Sequence, residues 1–227
     1  MKTTIRILLG LAICFLTYIC VMSVVTPIRF EEKRTQREVA VVKNLVSLRT
    51  AEVEFKAQKG YFTADLDSLI TFLKTAKKKE VLKEGALTDA QLEAGLTEAK
   101  AVKIIKKGNL REIQKNGLEG FKRDTIYTNL IQSLYKGEYN EDNIGEIIYI
   151  PYTDKVRYEV KVDNQYTTDK GIKVPLVEVS AHFNTYLGDL NKQELVNLID
   201  KEQKLEHYPG LKFGSIDAPN NNAGNWE

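Results

Sequence analysis

The chain has 227 residues, 28% of them charged and 43% hydrophobic, a composition that excludes both a disordered tail and a polytopic membrane protein. Lysine and arginine outnumber aspartate and glutamate by only 33 to 31 and are scattered among them, so there is no basic footprint for nucleic acid. Cys14 and Cys20 are the only cysteines and both lie in the apolar N-terminal stretch, which leaves the rest without a thiol for a disulfide, a Cys-ligated metal or a Cys nucleophile.

From Ile7 to Ile28 no residue is charged, and at 1.5 Å per residue a helix over this stretch is about 33 Å long, enough to cross a bilayer. Ile7, Leu11, Phe15 and Ile19 are its expected membrane and packing positions. A cleaved secretory signal is the rival, because Lys2 and Arg6 make a basic start and Val21-Met22-Ser23 a passable cleavage site. The apolar run exceeds a signal's hydrophobic region, so a retained anchor is expected. Lys2 and Arg6 on one side face Arg29, Lys33, Arg34 and Arg37 on the other, partly offset by Glu31 and Glu32. A large downstream domain translocates largely regardless of such charges, which favours a single-pass inner-membrane protein with its N-terminus cytoplasmic and its domain periplasmic.

Residues 29–60 read as an amphipathic stalk helix. Val41, Leu45, Leu48, Ala51 and Phe55 recur at three- and four-residue steps, with Glu38, Lys43, Arg49, Glu52, Glu54 and Lys56 on the other face. The stripe must be covered by a domain or by a neighbouring copy. Pro27, between membrane and stalk, is expected to bend the rod. Gly60 caps its end, and Thr63 or Asp65 starts a short helix over 66–75.

Residues 75–86, around Lys77-Lys78-Lys79, read as a solvated loop. Thr88 with Gln91 opens a third helix, 89–107, and 124–135 reads as a further short helix in which Ile126, Tyr127 and Thr128 would also suit a strand. A period of two then appears over 147–150, 156–162 and 174–183, the pattern of antiparallel strands. Asn191 caps a last helix, 192–203, and Pro209-Gly210 ends it before a Gly/Asn-rich tail. The fold class is therefore α+β: a long N-terminal transmembrane-plus-stalk helix, then short helices and a small antiparallel sheet, with residues 1–28 in the membrane, 29–60 as stalk and 61–227 as the extracytoplasmic domain.

No His-Glu-x-x-His, Gly-x-Ser-x-Gly, Walker or Gly-x-Gly-x-x-Gly motif occurs. His182 and His207 read as a strand residue and a helix-end cation rather than metal ligands. Asp65 with Asp67 reads as capping, and Glu119 with Asp124 as solvated surface. The stretch from Asp217 to Asn222 has oxygen donors but no EF-hand spacing and reads as a turn. Neither catalysis, a cofactor nor a metal is expected.

The passage from Val41 through Leu45, Leu48, Ala51 and Phe55 to Gly60-Tyr61-Phe62-Thr63, Asp65, Leu66 and Leu69, behind a helix bent at a proline, resembles type IV pilins and type II secretion pseudopilins. The resemblance implies a structural or assembly role in the bacterial envelope, with the bilayer, further copies or other envelope proteins as partners. One position departs from it: counting from Gly10 and Leu11, the glutamate of pilin precursors would fall at Phe15. The ending from Asn222 to Glu227, with Tyr149-Ile150-Pro151-Tyr152, also resembles a group of single-pass envelope proteins of Gram-negative bacteria, which implies no activity. The alternative expectation is an anchored binding or sensing module for a protein, peptide or glycan.

Overall fold

The computed structural model describes the backbone of residues 2–227 and the side chains of residues 4, 6–79, 84–123 and 127–227. A single helix, α1, runs from Lys2 to Lys59, unbroken through Pro27. It stops where Gly60 takes a left-handed conformation and donates its N–H to the Lys56 carbonyl at 2.7 Å. Asp65 then starts α2, Leu66–Thr75, by accepting the Asp67 N–H.

The chain divides into two compact units: Met1–Phe72 with Glu141–Glu227, and the intervening Leu73–Asn140. The inserted unit opens with β1, Lys77–Glu84, where the lysine-rich composition suggests a loop. Its pairing is non-local: β1 runs antiparallel to β2, Lys122–Asn129, from Lys77 opposite Asn129 to Glu84 opposite Lys122. A two-stranded ribbon leaves charged side chains in water, so their composition does not oppose strand formation. Between the strands lie α3, Asp89–Glu93, α4, Glu98–Lys107, and α5, Leu110–Lys115. The expected single helix over 89–107 is thus two, because Gly95 is left-handed and Thr97 caps anew, its hydroxyl accepting the Lys100 N–H. Ala101, Leu118 and Phe121 form this unit's small core with Leu87, Ile105 and Ile113 around them. The strand alternative holds over 124–129, and only Leu130–Tyr135, α6, is helical.

In the larger unit the expected strand over 147–150 is a 3₁₀ turn, Ile144–Ile148, with one isolated bridge from Tyr149 to Arg157. Ile144, Ile147, Ile148 and Ile150 are all buried against the fold, and a run buried on every side carries no strand period. A three-stranded antiparallel sheet follows: β3, Glu159–Asp163; β4, Leu176–His182; and β5, Gly210–Gly214, in the order β3-β4-β5. Between β4 and β5 come α7, Phe183–Leu187, and α8, Lys192–Lys204, which Asn191 caps. The strand β5 stands where Pro209-Gly210 suggested only a helix stop. Its terminal glycines are sterically required, since a Cβ would lie 2.3 Å from the Ala181 carbonyl oxygen at Gly210 and 1.9 Å from that of Val177 at Gly214. Residues beyond it add to the edge: Asn225 accepts the Lys212 N–H at 3.0 Å and donates to the Gly210 carbonyl at 2.8 Å.

The stem half of α1 packs on β5, the 3₁₀ turn and α7. Val41, Leu45, Leu48 and Ala51 are fully buried there and Phe55 nearly so. The cover comes from the chain's own sheet and turns.

Candidate functional site: a membrane-length helix and the cleft beside its stem

Among the described residues one helix is long and apolar enough to cross a membrane, and its apolar window is entirely unburied. Ile7, Leu11, Phe15 and Ile19 are exposed along it, while Pro27 is half-buried where the domain begins. A single such helix near the N-terminus fits a single-pass membrane protein.

Just beyond the apolar half the basic cluster is drawn into ion pairs. Arg34 bonds Glu38 at 2.8 Å and Glu31 at 3.2 Å. Arg37 grips both carboxylate oxygens of Asp189, donates to the Tyr186 carbonyl at 2.6 Å and lies 5.0 Å over the Tyr152 ring. The pair raises the arginine's pKa and lowers the aspartate's, each through their hydrogen bond first. At the other end of the stem Arg49 bonds Glu227 and lies 5.9 Å over Trp226, the sole tryptophan. Near Gly60, Asn164 accepts the Phe62 N–H at 2.9 Å and donates to the Phe62 carbonyl at 3.0 Å, matching a strand edge with one side chain.

Glu52 corrects the sequence reading. Placed by it on the polar face, Glu52 lies four residues after Leu48, on the inner stripe, and is 1% exposed. Its Oε2 accepts the Thr63 N–H at 3.3 Å, and Oε1 has no hydrogen-bond partner among the described residues. Burial pushes the carboxyl up to about 7, against a smaller opposing effect of the Thr63 hydrogen bond.

Beside the stem a cleft of about 510 Å³ lies between Arg34 and Glu38 of α1, Phe183, Glu202 at the end of α8, His207, Tyr208, Lys212 and Trp226. Its charges are largely matched internally: Lys212 Nζ bonds the buried Glu178 at 2.7 Å, and His207 Nδ1 lies 3.2 Å from Glu202. Aromatic faces and paired charges of both signs suit a polar organic ligand or peptide better than a single ion. His182 is spent structurally, its Nδ1 accepting the Asn184 N–H at 3.1 Å to cap α7; burial lowers its pKa, which keeps that nitrogen free to accept. The inserted unit has its own apolar hollow of about 490 Å³, lined by Ile105, Leu110, Ile113, Leu118 and Phe121.

Among the described side chains no cluster of three metal-ligating groups exists. Asp65 caps α2, and Asp67 pairs with Arg157 at 2.8 Å, so those two carboxylates have separate structural duties. Asp124 lies outside the described side chains. In the Asp217–Asn222 stretch, Asn220 turns its side-chain oxygen onto the Asn222 N–H.

The structure thus gathers Val41, Leu45, Leu48 and Phe55 on one covered face and leaves Ile7, Leu11, Phe15 and Ile19 on the uncovered half of the same helix. Sequence reasoning missed the cleft, because its walls come from five separate stretches. It also missed Glu52, although the spacing from Leu48 carried the signal. No family model, no curated protein and no solved structure matches the chain.

Proposed function

We propose that the chain is a membrane-anchored, non-catalytic structural or assembly protein of the bacterial envelope, of pilin or pseudopilin type, inserted with its N-terminus in the cytoplasm and its domain in the periplasm. One observation carries this: a single helix has a membrane-length uncovered half and continues without a break into a stem clasped by the chain's own domain. Such a helix transmits position from bilayer to domain as a rigid lever, which positioning or assembly needs and a flexible tether does not supply. The orientation is supported by the size of the domain that follows the helix, since a long downstream segment translocates largely regardless of the basic residues flanking the span.

Protease treatment of intact spheroplasts tests it. The expected result is a domain digested from outside with the N-terminal segment left in the membrane; full protection, or recovery of a soluble form trimmed near Ser23, overturns the topology. The second reading is an anchored binding module for a protein, peptide or glycan, favoured by the aromatic, charge-paired cleft at Tyr208 and Trp226. Cross-linking separates the two, because homotypic products through α1 support assembly and heterotypic ones through the cleft support binding.

A further inference from the structure

The stem of α1 carries a second stripe, on the side turned away from the domain. Val39, Val46 and Val53 recur every seven residues, about 130° round the helix from the covered line of Val41, Leu45 and Leu48. They remain 66%, 37% and 47% exposed. The solvated face of a stem helix is ordinarily charged throughout; within about 60° of this outward line the charged residues are Glu31, Glu32, Lys43 and Arg49, the last of them drawn onto Glu227 and Trp226. A second seven-residue series interleaves with the first at offsets of three and four: Cys14, Val21, Ile28, Thr35 and Val42, and then Arg49, which pairs with Glu227. Together they form the a/d seam of a coiled coil, with β-branched residues dominant, and the seam begins inside the membrane half.

Three details fit a packing face rather than an accidental one. The threonines on this side have satisfied their own hydroxyls: Thr17, Thr35 and Thr50 each donate to a carbonyl one turn back, at 2.9 Å. They can be buried against another helix without an unmet donor. Gly10 and Cys14, four apart, give the membrane end the small-residue spacing at which helix backbones approach closely. Pro27 lies on the opposite, domain-bearing side, so its missing N–H and its ring do not interrupt the seam.

We propose that this face pairs α1 in parallel and in register with α1 of a second copy of the chain. The inference rests on the anchored-assembly reading above and names the partner. An occupant of the whole face must cross the bilayer and continue as a stem with a largely apolar side at the same heights, which α1 itself does. Two copies inserted the same way bring like residues level, and along this largely apolar seam like charges meet at Glu32 and at Arg49, whose charge is matched by Glu227 of its own chain. From Cys14 to Val53 the face is about 60 Å long and one helix wide, about 10 Å, hence about 600 Å² per partner, close to the roughly 800 Å² of a stable standard interface.

The native cysteines supply the test. Cys14 lies on the seam, whereas Cys20 lies on the domain side, and both are exposed. Copper-phenanthroline oxidation of the full-length protein in its own membranes is expected to give a disulfide-linked dimer that Cys14→Ser abolishes and Cys20→Ser leaves intact, because bridging requires Cβ atoms about 4 Å apart. In the C14S/C20S background, Val46→Cys is expected to restore the dimer and Lys33→Cys to leave the protein monomeric. In the V46C protein, Val39→Glu with Val53→Glu, both at exposed positions, is expected to abolish that dimer while Trp226 fluorescence reports an unchanged domain. Dimers through Cys20 or Lys33→Cys, or products only with another membrane protein, overturn this interface and leave the assembly reading standing. Recovery of the chain outside the membrane instead overturns the anchored reading itself.

Discussion

Replacing Glu52 by glutamine separates the cost of its buried charge from its hydrogen bond. The carboxyl has a pKa of about 7 in the folded chain against an ordinary 4.5, with burial as the larger cause. A carboxyl raised on folding stabilises most below the unfolded value and loses that stability as pH rises through the folded one. The interval of 2.5 corresponds to about 3 kcal/mol in all, of which about 2.5 kcal/mol is lost between pH 5 and pH 8. Glutamine keeps an acceptor for the Thr63 N–H but adds an amide NH₂ with no obvious partner, at about 1 kcal/mol. The variant is therefore expected to be about 2 kcal/mol more stable than the wild type at pH 8 and nearly equal to it at pH 5. Denaturant unfolding of the full-length protein in detergent micelles, followed by the fluorescence of Trp226, measures both ends of that range. Parallel pH profiles for the two proteins, or a glutamine variant less stable at pH 8, would show that the ionised carboxylate is held by more than the Thr63 amide and refute the argument.

Leu48→Asp puts a charge at a fully buried position of the inner stripe and is expected to cost at least about 4 kcal/mol, seen as loss of the cooperative Trp226 transition. Asn164→Ala removes both side-chain bonds to Phe62 and should cost about 2 kcal/mol, with faster amide exchange at Phe62. Gly214→Ala forces a Cβ to 1.9 Å from the Val177 carbonyl oxygen at a residue with φ of 75°, so a loss of about 3 kcal/mol or more is expected in the same unfolding assay.

How much of this was legible depended on the range of the interaction that decides each element. The uncharged stretch from Ile7, the end of α1 at Gly60, the bounds of α2 and the cap at Asn191 are local events, written in composition and spacing within a few residues. The ribbon of β1 and β2 is not local: Lys77 to Glu84 are held by a partner some 40 residues away, and no short-range signal outweighs three consecutive lysines. The same holds for β5, whose Gly-Leu-Lys-Phe-Gly punctuates like a turn until Ala181 and Val177 supply the carbonyls that only glycine can approach. The isoleucines over 144–150 misled differently, since complete burial erases the alternation that distinguishes a strand from a 3₁₀ turn. The cleft, assembled from α1, α7, α8, β5 and the segment after it, had no signal in any one stretch.

The two faces of the stem divide labour in a way that can be measured. The inner line of Val41, Leu45, Leu48 and Phe55 is consumed by the chain's own domain, so its energy goes into folding and is independent of protein concentration. The outer line of Val39, Val46 and Val53 stays 66%, 37% and 47% exposed, so the energy of burying the rest of it appears only on association and grows with concentration in the membrane. Substitutions on opposite sides of one helix that share no neighbours should therefore act independently. Conservative Leu48→Ala is expected to lower unfolding stability by about 3 kcal/mol without changing the oxidised dimer fraction under native conditions, and Val46→Glu to do the reverse. Measuring unfolding at two protein-to-detergent ratios decides it: the wild-type midpoint should rise at the higher ratio, the V46E midpoint should not, and the L48A curve should shift in parallel with the wild type. An L48A protein that loses the dimer while its domain stays folded would mean that the inner and outer faces are coupled, and the stem would have to be treated as one surface.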